Sequence, residues 1–247
     1  MKITVLTLFP QMLDGFFGNS IFKRARDKGL VDVELIDFRD FSDDKHRKVD
    51  DEIYSGGAGL LLKPQPLFDA LDSISAKQSG ARVVYPSPSG KRFDQAKAYE
   101  LSREHELVFI AGHYEGVDQR VIDNYVTDEL SIGDYVISSG EVATLCIIDA
   151  VYRLIPGVIS SESLESESFS AGLLEYPQYT RPANYCNFSV PDVLLNGNHR
   201  SIMRWKREKS LEKTFLNRPD LLEKAILDDF DRRIIDDLRK RYDNGSD

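Results

Sequence analysis

Three apolar segments in the middle of the chain each end in a loop of small, turn-forming residues. ARVVY (residues 81–85) leads into PSPSG, ELVFIA (residues 106–111) leads into GHYEG, and residues 126–130 lead into SIGDYVISSG. Short apolar runs bounded by turn signals predict buried β-strands. In a parallel sheet the carboxyl ends of neighbouring strands lie at one edge. We therefore expect the three loops to meet there and to form a pocket lined by backbone groups.

The beginning of the chain predicts the sheet to which these strands belong. Residues 2–9 and 31–38 are predicted strands, and apolar residues at helical spacing predict one helix from Pro10 to about Lys28 between them. A strand–helix–strand opening favours a parallel sheet with helices on both faces. The expected fold class is therefore α/β.

A long helix is predicted directly after the third loop. It begins at Glu141 and ends before the helix-breaking pair Pro156 and Gly157. Asp149 and Arg153 are four residues apart and therefore lie on the same side of this helix, where a surface ion pair is the simplest interpretation.

Composition limits the class of protein. No apolar run approaches the roughly 18 residues that cross a bilayer, so no membrane segment is expected. The chain has two cysteines, and they show neither a disulfide framework nor a metal-ligand spacing. This pattern favours a cytoplasmic protein without a metal site. Cys146 lies in the apolar segment TLCII and is expected in the core.

The formal net charge of −9 argues against nucleic acid as a partner, but one segment reverses the sign. Residues 199–218 contain seven basic and two acidic residues, and an amphipathic helix is predicted from about His199 to Asn217. Such segregation of charge can form a phosphate-binding face on an acidic protein. A solvated helix surface is the alternative.

The predicted pocket lacks the features of a phosphate site, because neither a lysine nor a GxGxxG pattern accompanies its loops. A flat apolar ring is expected among apolar and aromatic side chains, while main-chain groups bind its edge; these side chains are Tyr85, Ile132, Tyr135 and Ile137. Glu115 and Asp118 would offset a positive charge on the ligand. An adenine-containing sulfonium cofactor would fit such a pocket.

A series of motifs runs nearly from one end of the chain to the other. They are MKITVLTLFP, HRKVDDEIYSGGAG, YPSPSG, GHYEGVDQR, SIGDYVISSGE, RLIPGV, SFSAGLLEYPQYTRP, GNHRSI and NRPDLL. In sequence and order they resemble those of the bacterial tRNA (guanine-N1) methyltransferases. Members of this family modify the guanosine just 3′ of the anticodon and belong to the SPOUT class.

The resemblance implies a parallel sheet tied into a deep trefoil knot on its C-terminal side, followed by a small all-helical domain. The implied divisions are a methyltransferase domain (1–158), an interdomain linker (159–176) and a tRNA-binding domain (177–247). It also implies an obligate homodimer with an active site shared between subunits. S-adenosylmethionine would be held in the knot by Tyr85, Pro86, Ser87, Pro88, Gly112, Glu115, Ile132, Gly133, Tyr135, Ile137 and Gly140.

The reaction implied by the resemblance is methyl transfer to N1 of guanosine 37, for which a base must remove the N1 proton. The family uses an aspartate before a Ser-Phe pair. Here the residue before Ser168 is Glu167, whose carboxylate stands on a stem one methylene longer. Arg153 matches the arginine that stabilises negative charge on the guanine oxygen. Use of Mg²⁺ during the reaction is implied as well, with Glu115 as a conceivable ligand.

The implied partner is tRNA, bound at its anticodon stem-loop. Residues implied near the guanine are His46, Asp50, Gly59, Tyr114 and Ser168. Loop hydrogen bonding is an equally good interpretation of the first two. Contacts with stem phosphates would add affinity without reading bases, and the residues implied there are Arg200, Arg204, Lys206, Arg207 and Lys209.

Some positions depart from the family pattern, and two other functions stay open. His113 stands where many members have arginine. Ser139 replaces a common glycine and would crowd the cofactor if its backbone took a positive φ.

One alternative function is that of a SPOUT enzyme that methylates ribose or an rRNA base. The other is a non-catalytic RNA-binding protein, which Glu167 and Ser139 suggest.

Overall fold

The computed structural model describes residues 1–54, 56, 59–165, 167–169 and 172–243. Three residues of the SGGAG motif (Ser55, Gly57 and Ala58) and three of the predicted linker (Ser166, Ser170 and Ala171) lie outside this set. No helix within the described ranges is long and apolar enough to cross a membrane. The chain divides into two units, Met1–Ser160 (unit 1) and Ser161–Asp247 (unit 2).

A parallel sheet forms the centre of unit 1. Its strands are β1 (Lys2–Thr7), β2 (Asp32–Asp37), β5 (Arg82–Arg92), β6 (Glu106–Ile110) and β7 (Asp128–Ser131). Within the described residues they form a five-stranded sheet in the order β2-β1-β6-β5-β7, and every pairing is parallel. A separate antiparallel hairpin consists of β3 (Asp50–Glu52) and β4 (Leu60–Leu62). The predicted α/β class with a parallel sheet is confirmed.

The helices of unit 1 depart from the prediction near the start of the chain. They are α1 (Pro10–Phe17), α2 (Ser20–Asp27), α3 (Pro64–Ser73), α4 (Gln95–Leu101), α5 (Gln119–Tyr125), α6 (Gly140–Tyr152) and a 3₁₀ helix (Phe38–Phe41). The prediction of one continuous helix from Pro10 to Lys28 is wrong. Gly18 ends α1 by donating its N–H to the carbonyl of Asp14 at 3.0 Å, and Ser20 then takes a positive φ of 53°.

Helices cover both faces of the sheet. On one face, Leu6 and Ile110 pack in a core cluster with Leu67 of α3 and Val121 of α5. Side chains alternate along a strand, so Phe109 points to the opposite face. On the other side of the sheet lies α6, which contacts β5, β6 and α1. The rings of Phe22 in α2 and Tyr152 in α6 lie 4.8 Å apart.

Helix α6 has one buried side and one exposed apolar side. Ile147 and Ile148 are fully buried, whereas Cys146 is exposed. Val142, one turn before Cys146 on the same side, is 46% exposed. The expectation that Cys146 lies in the core is therefore wrong, because the apolar TLCII segment wraps around the helix and only part of it faces the sheet.

Unit 2 contains α7 (Ser161–Glu165), α8 (Asp192–Leu195), α9 (His199–Asn217), α10 (Pro219–Leu222) and α11 (Asp229–Asp243). The bounds of α9 agree with the predicted helix. Leu211 of α9 and Ile235 of α11 form a core with Leu173. Leu173 lies in the segment predicted as a linker, and the adjacent Leu174 N–H donates to Thr214 Oγ1 of α9 at 2.9 Å.

A short hairpin makes the expectation of an all-helical C-terminal part wrong. β8 (Asn184–Tyr185) pairs with β9 (Phe188–Ser189) in antiparallel fashion. The two turn residues, Cys186 and Asn187, have φ of 50° and 66°. Two positive φ values in a two-residue loop are typical of a type I′ turn, which usually contains glycine. Because Cys186 and Asn187 include no glycine, this turn was not predictable from the residue types usual in such loops.

A network of ion pairs joins the start of β5 to the start of β7. Arg82 binds both carboxylate oxygens of Asp128, at 2.7 and 2.6 Å, and the Asp128 side chain is only 6% exposed. Burial by itself would raise the pKa of Asp128. Hydrogen bonds from Arg82 and Thr127 outweigh that effect, so this pKa lies below the usual 3.8.

The stability of unit 1 should therefore fall in acid. Because the folded pKa of Asp128 is depressed, its stabilising contribution is complete above about pH 4 and is lost as pH falls through the folded value. Asp128→Asn should lower the free energy of unfolding at pH 7 by ~1–3 kcal/mol and flatten its decline below pH 4. Urea unfolding followed by circular dichroism between pH 3 and 7 measures both effects.

Asp40→Asn is the matched control, because Asp40 pairs with Arg47 at the surface and exposed pairs contribute about 0–1 kcal/mol. Equal losses in the two variants would contradict a special role for the buried pair.

Candidate functional site

An irregular part of β5 (residues 85–89) and the loops after β6 and β7 line one cavity of about 330 Å³. These three strands are neighbours in the sheet, so their carboxyl ends are adjacent. The three segments meet as predicted, but the PSPSG segment (residues 86–90) lies within β5, so the expected end of that strand at Tyr85 is wrong. The cavity lining includes every residue predicted to bind the cofactor: Tyr85, Pro86, Ser87, Pro88, Gly112, Glu115, Ile132, Gly133, Tyr135, Ile137 and Gly140. What they bind stays a prediction.

Two stretches of main chain, at Gly112 and Gly140, are in direct contact at the cavity. The Gly140 N–H donates to the carbonyl oxygen of Gly112 at 3.0 Å. A Cβ added to Gly140 would lie 2.5 Å from both the nitrogen and the oxygen of Gly112. No side chain fits in that space, so the start of α6 can lie directly against the end of β6 only because residue 140 is glycine.

Two further glycines make room for aromatic rings. Gly133 has a φ of 151°, and a Cβ there would lie 2.5 Å from the ring of Tyr135. A Cβ on Gly112 would lie 3.0 Å from the ring of Tyr85. Burial raises the pKa of the Tyr85 hydroxyl. The wall therefore consists of rings and backbone groups, which suits a flat heterocycle.

Glu115 and Gly59 meet at the edge of the cavity. The Glu115 N–H donates to the carbonyl of Leu60 at 3.0 Å, which joins the β6 loop to β4. A Cβ on Gly59, whose φ is 103°, would lie 2.5 Å from Cγ of Glu115. The structure therefore brings together a residue predicted to contact substrate and one predicted to contact cofactor.

Aromatic side chains stand beside these groups. Tyr114 lines the cavity, takes a φ of 57° and is half exposed. Its ring centroid lies 4.8 Å from that of His113, which in turn lies 5.2 Å from Phe9. The predicted substrate contact Tyr114 thus lies at the cavity with a half-exposed side chain, and its role in binding substrate stays a prediction.

His46 and Asp50 do not line the cavity. His46 is exposed in a turn, and its N–H donates to Asp44 Oδ1 at 2.7 Å. Asp50 is the first residue of β3 and is half-buried. The structure is consistent with loop hydrogen bonding for His46, and the substrate role of both residues stays a prediction.

Arg153 follows directly after α6, at the opposite end of the helix from the cavity. The 13 residues of α6 place this end about 20 Å from Gly140. Nearby, burial and a hydrogen bond with Asp149 raise the pKa of Tyr152 to about 12. The ion pair of Asp149 with Arg153 stays a prediction.

Glu167 and Ser168 belong to a folded turn of unit 2. The Glu167 N–H donates to the carbonyl of Leu164 at 3.4 Å, and Glu167 is half-buried. Ser168 Oγ accepts a hydrogen bond from the Glu175 N–H at 2.9 Å. Phe169 takes a positive φ of 73°, and its N–H donates to the carbonyl of Leu173 at 2.8 Å. These bonds shape the turn that carries both predicted residues.

The cations of α9 are not equivalent. Arg207 binds both oxygens of Asp231 at 2.9 and 2.5 Å, and the Asp231 side chain is 2% exposed. Burial would raise the pKa of Asp231, but the bonds from Arg207 outweigh it and lower this pKa. Because this pair connects α9 to α11, the charge of Arg207 is already compensated. This ion pair gives Arg207 a structural role, and its predicted contact with phosphate stays a prediction.

Arg204 and Arg200 are better placed for an external anion. Arg204 pairs at 2.9 Å with Glu208 on the surface and lies 4.9 Å above the ring of Phe230. Arg200 is exposed, and within the described residues it forms no ion pair. Lys206, also predicted to contact phosphate, lies 4.6 Å above the ring of Tyr176.

Comparison with known proteins identifies the family. Residues 1–224 match the family described as tRNA (Guanine-1)-methyltransferase TrmD. The chain belongs to this family. It is 59% identical over 225 residues to a tRNA (guanine-N(1)-)-methyltransferase of Treponema denticola, covering 91% of this chain and 92% of that protein. Proteins with the same description from Geobacillus kaustophilus and Dehalococcoides mccartyi are 51% and 53% identical, and each comparison covers at least 96% of both chains.

The departure at Ser139 does not strain the site. Its φ of −147° is ordinary extended backbone, so the expected crowding by a positive φ is wrong. Sequence reasoning also missed Glu141, which is 0% exposed although it carries a carboxylate. An acidic residue in the first turn of a strongly apolar helix was the signal available for it.

The close approach at Gly140 predicts a large effect of one methyl group. Gly140→Ala should lower the free energy of unfolding by ~2 kcal/mol or more, because the clash is with main chain that cannot rotate away. Gly15→Ala is the matched control: nothing lies within 4 Å of a Cβ at this position in α1, and the change should stabilise by ~0.5–1 kcal/mol. Urea titrations of both variants test this, and a neutral Gly140→Ala would contradict the contact.

Proposed function

We propose that this chain transfers a methyl group from S-adenosylmethionine to N1 of guanosine 37 of tRNA. Family membership over residues 1–224 carries the proposal. The cavity supports it independently, because rings, glycines and backbone groups converge there on a space of the size that small cofactors occupy.

The residues that line the cavity fit the cofactor. The rings of Tyr85 and Tyr135 and the side chain of Ile137 suit adenine, while Glu115 adds a negative charge beside a sulfonium. When bound, S-adenosylmethionine supplies an activated methyl group. The remaining chemistry is the task of the chain: to hold the guanine, to remove its N1 proton and to stabilise the charge that develops on its oxygen.

Glu167 is the proposed base and Arg153 the proposed electrostatic partner. Guanine N1 carries a proton, and a carboxylate within hydrogen-bond reach would accept it as the N1–methyl bond forms. The planar guanidinium of Arg153 would donate hydrogen bonds to the guanine oxygen, where negative charge accumulates. Lysine could not reproduce the fork of donors that this task requires.

The active site is proposed to be shared between two copies of the chain. The distance of about 20 Å along α6 between Gly140 and Arg153 supports this, since no arginine side chain covers it. The exposed apolar side of α6, with Val142 and Cys146, and the exposed Val136 in the adjoining loop offer a surface for a second copy. In a homodimer, Arg153 of one subunit would serve the cavity of the other.

A trefoil knot is proposed for the C-terminal side of unit 1. It is supported by two places where main chain passes main chain without room for a Cβ. One is Gly140 against Gly112, and the other is Gly90 against Glu129 and Leu130. Such passages are needed when one segment threads through a loop made by another, which few folds do.

Mg²⁺ has no built site here. Among the described residues, no group of three or more His, Cys, Asp or Glu side chains could hold a metal ion. Glu115 alone could supply one ligand, so we derive no step through the ion.

Residues 1–158 are proposed as the methyltransferase domain, 159–176 as the linker and 177–247 as the tRNA-binding domain. Arg200 and Arg204 on α9 would contact phosphates of the anticodon stem. His46, Asp50, Gly59, Tyr114 and Ser168 would surround the target guanine. Action on tRNA would place the protein in the cytoplasm.

Methyl transfer from labelled S-adenosylmethionine to an unmodified transcript with guanosine at positions 36 and 37 tests the reaction. Wild-type protein should label this transcript and leave a matched transcript with adenosine at position 37 unlabelled. Glu167→Gln and Arg153→Lys should each reduce the rate by about 10²–10⁴ while binding of S-adenosylhomocysteine is unchanged.

Full activity of Glu167→Gln would move the base to another residue, with Glu165 the next candidate. An inactive wild type that still binds tRNA would favour the non-catalytic RNA-binding alternative.

Binding of tRNA should depend on Arg200 and Arg204. Each change to Ala should weaken tRNA affinity and reduce the slope of log affinity against log salt by about 1, since a phosphate contact releases counterions. Arg239→Ala is the charge-matched control, because Arg239 is exposed on α11 and pairs with Asp236. Filter binding at several salt concentrations measures the slope, and identical slopes in all variants would remove α9 from the interface.

A further inference from the structure

A buried carboxylate lies directly behind the cavity wall. Glu141, in the first turn of α6, is 0% exposed. Thr7 Oγ1 donates to its Oε1 at 2.7 Å, and Ser139 Oγ donates to its Oε2 at 2.6 Å. Both carboxylate oxygens are thus bound by hydroxyl groups rather than by a cation.

The hydroxyl of Ser139 is used in an unusual way. Ser139 occupies the N-cap position of α6, where a serine oxygen ordinarily accepts from a backbone N–H of the first turn. Here no such cap bond forms, and the hydroxyl donates to Glu141 instead. Ser139 also lines the cavity. Its hydroxyl group is held by Glu141, which is not among the lining residues.

Thr7 connects this arrangement to a distant part of the sheet. It is the last residue of β1, is fully buried and does not line the cavity. Its oxygen accepts the Phe9 N–H at 2.9 Å, which leaves its own proton for Glu141. The carboxylate therefore joins the end of β1 to the wall at residues 139–140, the same wall that meets Gly112.

Burying a carboxylate that is bound by hydroxyl groups rather than by a cation costs free energy. Burial of a charge is unfavourable unless hydrogen bonds and local dipoles compensate it. The two hydroxyl groups and the N-terminus of α6 provide that compensation, and only while the wall is in this position. Apolar packing alone would hold α6 on the sheet without requiring one position of the wall. The hydrogen bonds to the carboxylate are directional, so they also fix the orientation of the wall.

We propose that Glu141 is a positioning residue for the cavity, which holds the 139–140 wall in the geometry that binds the adenosine-containing cofactor. The inference rests on the proposed function for the identity of that ligand. The Ser139 hydroxyl donates to Glu141 Oε2 at 2.6 Å. The hydroxyl of Ser139 is therefore an additional restraint on the wall in this chain.

Thr7→Val is the first test, because it removes one hydroxyl with little change in shape at a position outside the cavity. Thr7→Ser is its control and keeps the hydroxyl. We expect calorimetry at 25 °C to show about tenfold weaker binding of S-adenosylhomocysteine by Thr7→Val, corresponding to one lost charge-assisted hydrogen bond, and less than a threefold change for Thr7→Ser. The pair Ser139→Val and Ser139→Thr should behave in the same way.

A purely structural role would give a different result. Melting temperatures would then fall in the Val variants, while the folded protein would bind the ligand as tightly as the wild type; that outcome overturns the proposal. In steady-state assays the proposal requires a higher KM for S-adenosylmethionine with an unchanged KM for tRNA. An equal rise in both would also contradict it.

Hydrogen exchange without ligand separates this inference from the proposed function. Amides of residues 132–140 should exchange faster in Thr7→Val than in Thr7→Ser, while those of β1 and β6 stay protected. Faster exchange in a protein whose wild type binds no S-adenosylhomocysteine would support the positioning role and refute the ligand. Unchanged exchange would refute the positioning role, whatever the wild type binds.

Discussion

A contact between two stretches of main chain, at Gly112 and Gly140, fixes the geometry of unit 1. Its hydrogen bond of 3.0 Å places the start of α6 against the end of β6, at a distance that excludes any side chain. From this point α6 extends away from the cavity, so the position of Arg153 follows from a contact at the other end of the helix. A local steric constraint thus determines where a proposed functional group stands.

Buried carboxylates serve different ends in different parts of the chain. Asp128 in unit 1 and Asp231 in unit 2 each receive two hydrogen bonds from one guanidinium, which satisfies the charge and joins two secondary-structure elements. Glu141 receives hydroxyl groups instead. A carboxylate paired with a guanidinium has a structural role. A carboxylate that is bound by hydroxyl groups beside a cavity is more sensitive to small displacements of its donors, because neither donor carries a charge.

Local patterns in the sequence predicted the sheet, the meeting of three loops and the bounds of α9. Those features depend on apolar periodicity and on turn residues, which are visible over a few positions. The break at Gly18 and the turn at Cys186–Asn187 escaped prediction because non-glycine residues there take positive φ values. Long-range polar contacts were equally invisible: Thr7 and Glu141 are 134 positions apart, and Arg207 and Asp231 are 24 apart. Only the folded chain shows that one basic residue of α9 is neutralised.

The separation of Arg153 from the cavity of its own chain has a genetic consequence. If each reaction centre combines the cavity of one copy with the arginine of another, a lesion in the cavity and a lesion at Arg153 damage different halves of the same centre. A mixed dimer that carries one lesion in each subunit would retain one intact centre and one doubly defective centre. Two inactive alleles expressed together would therefore complement each other, whereas two lesions confined to the same half would not.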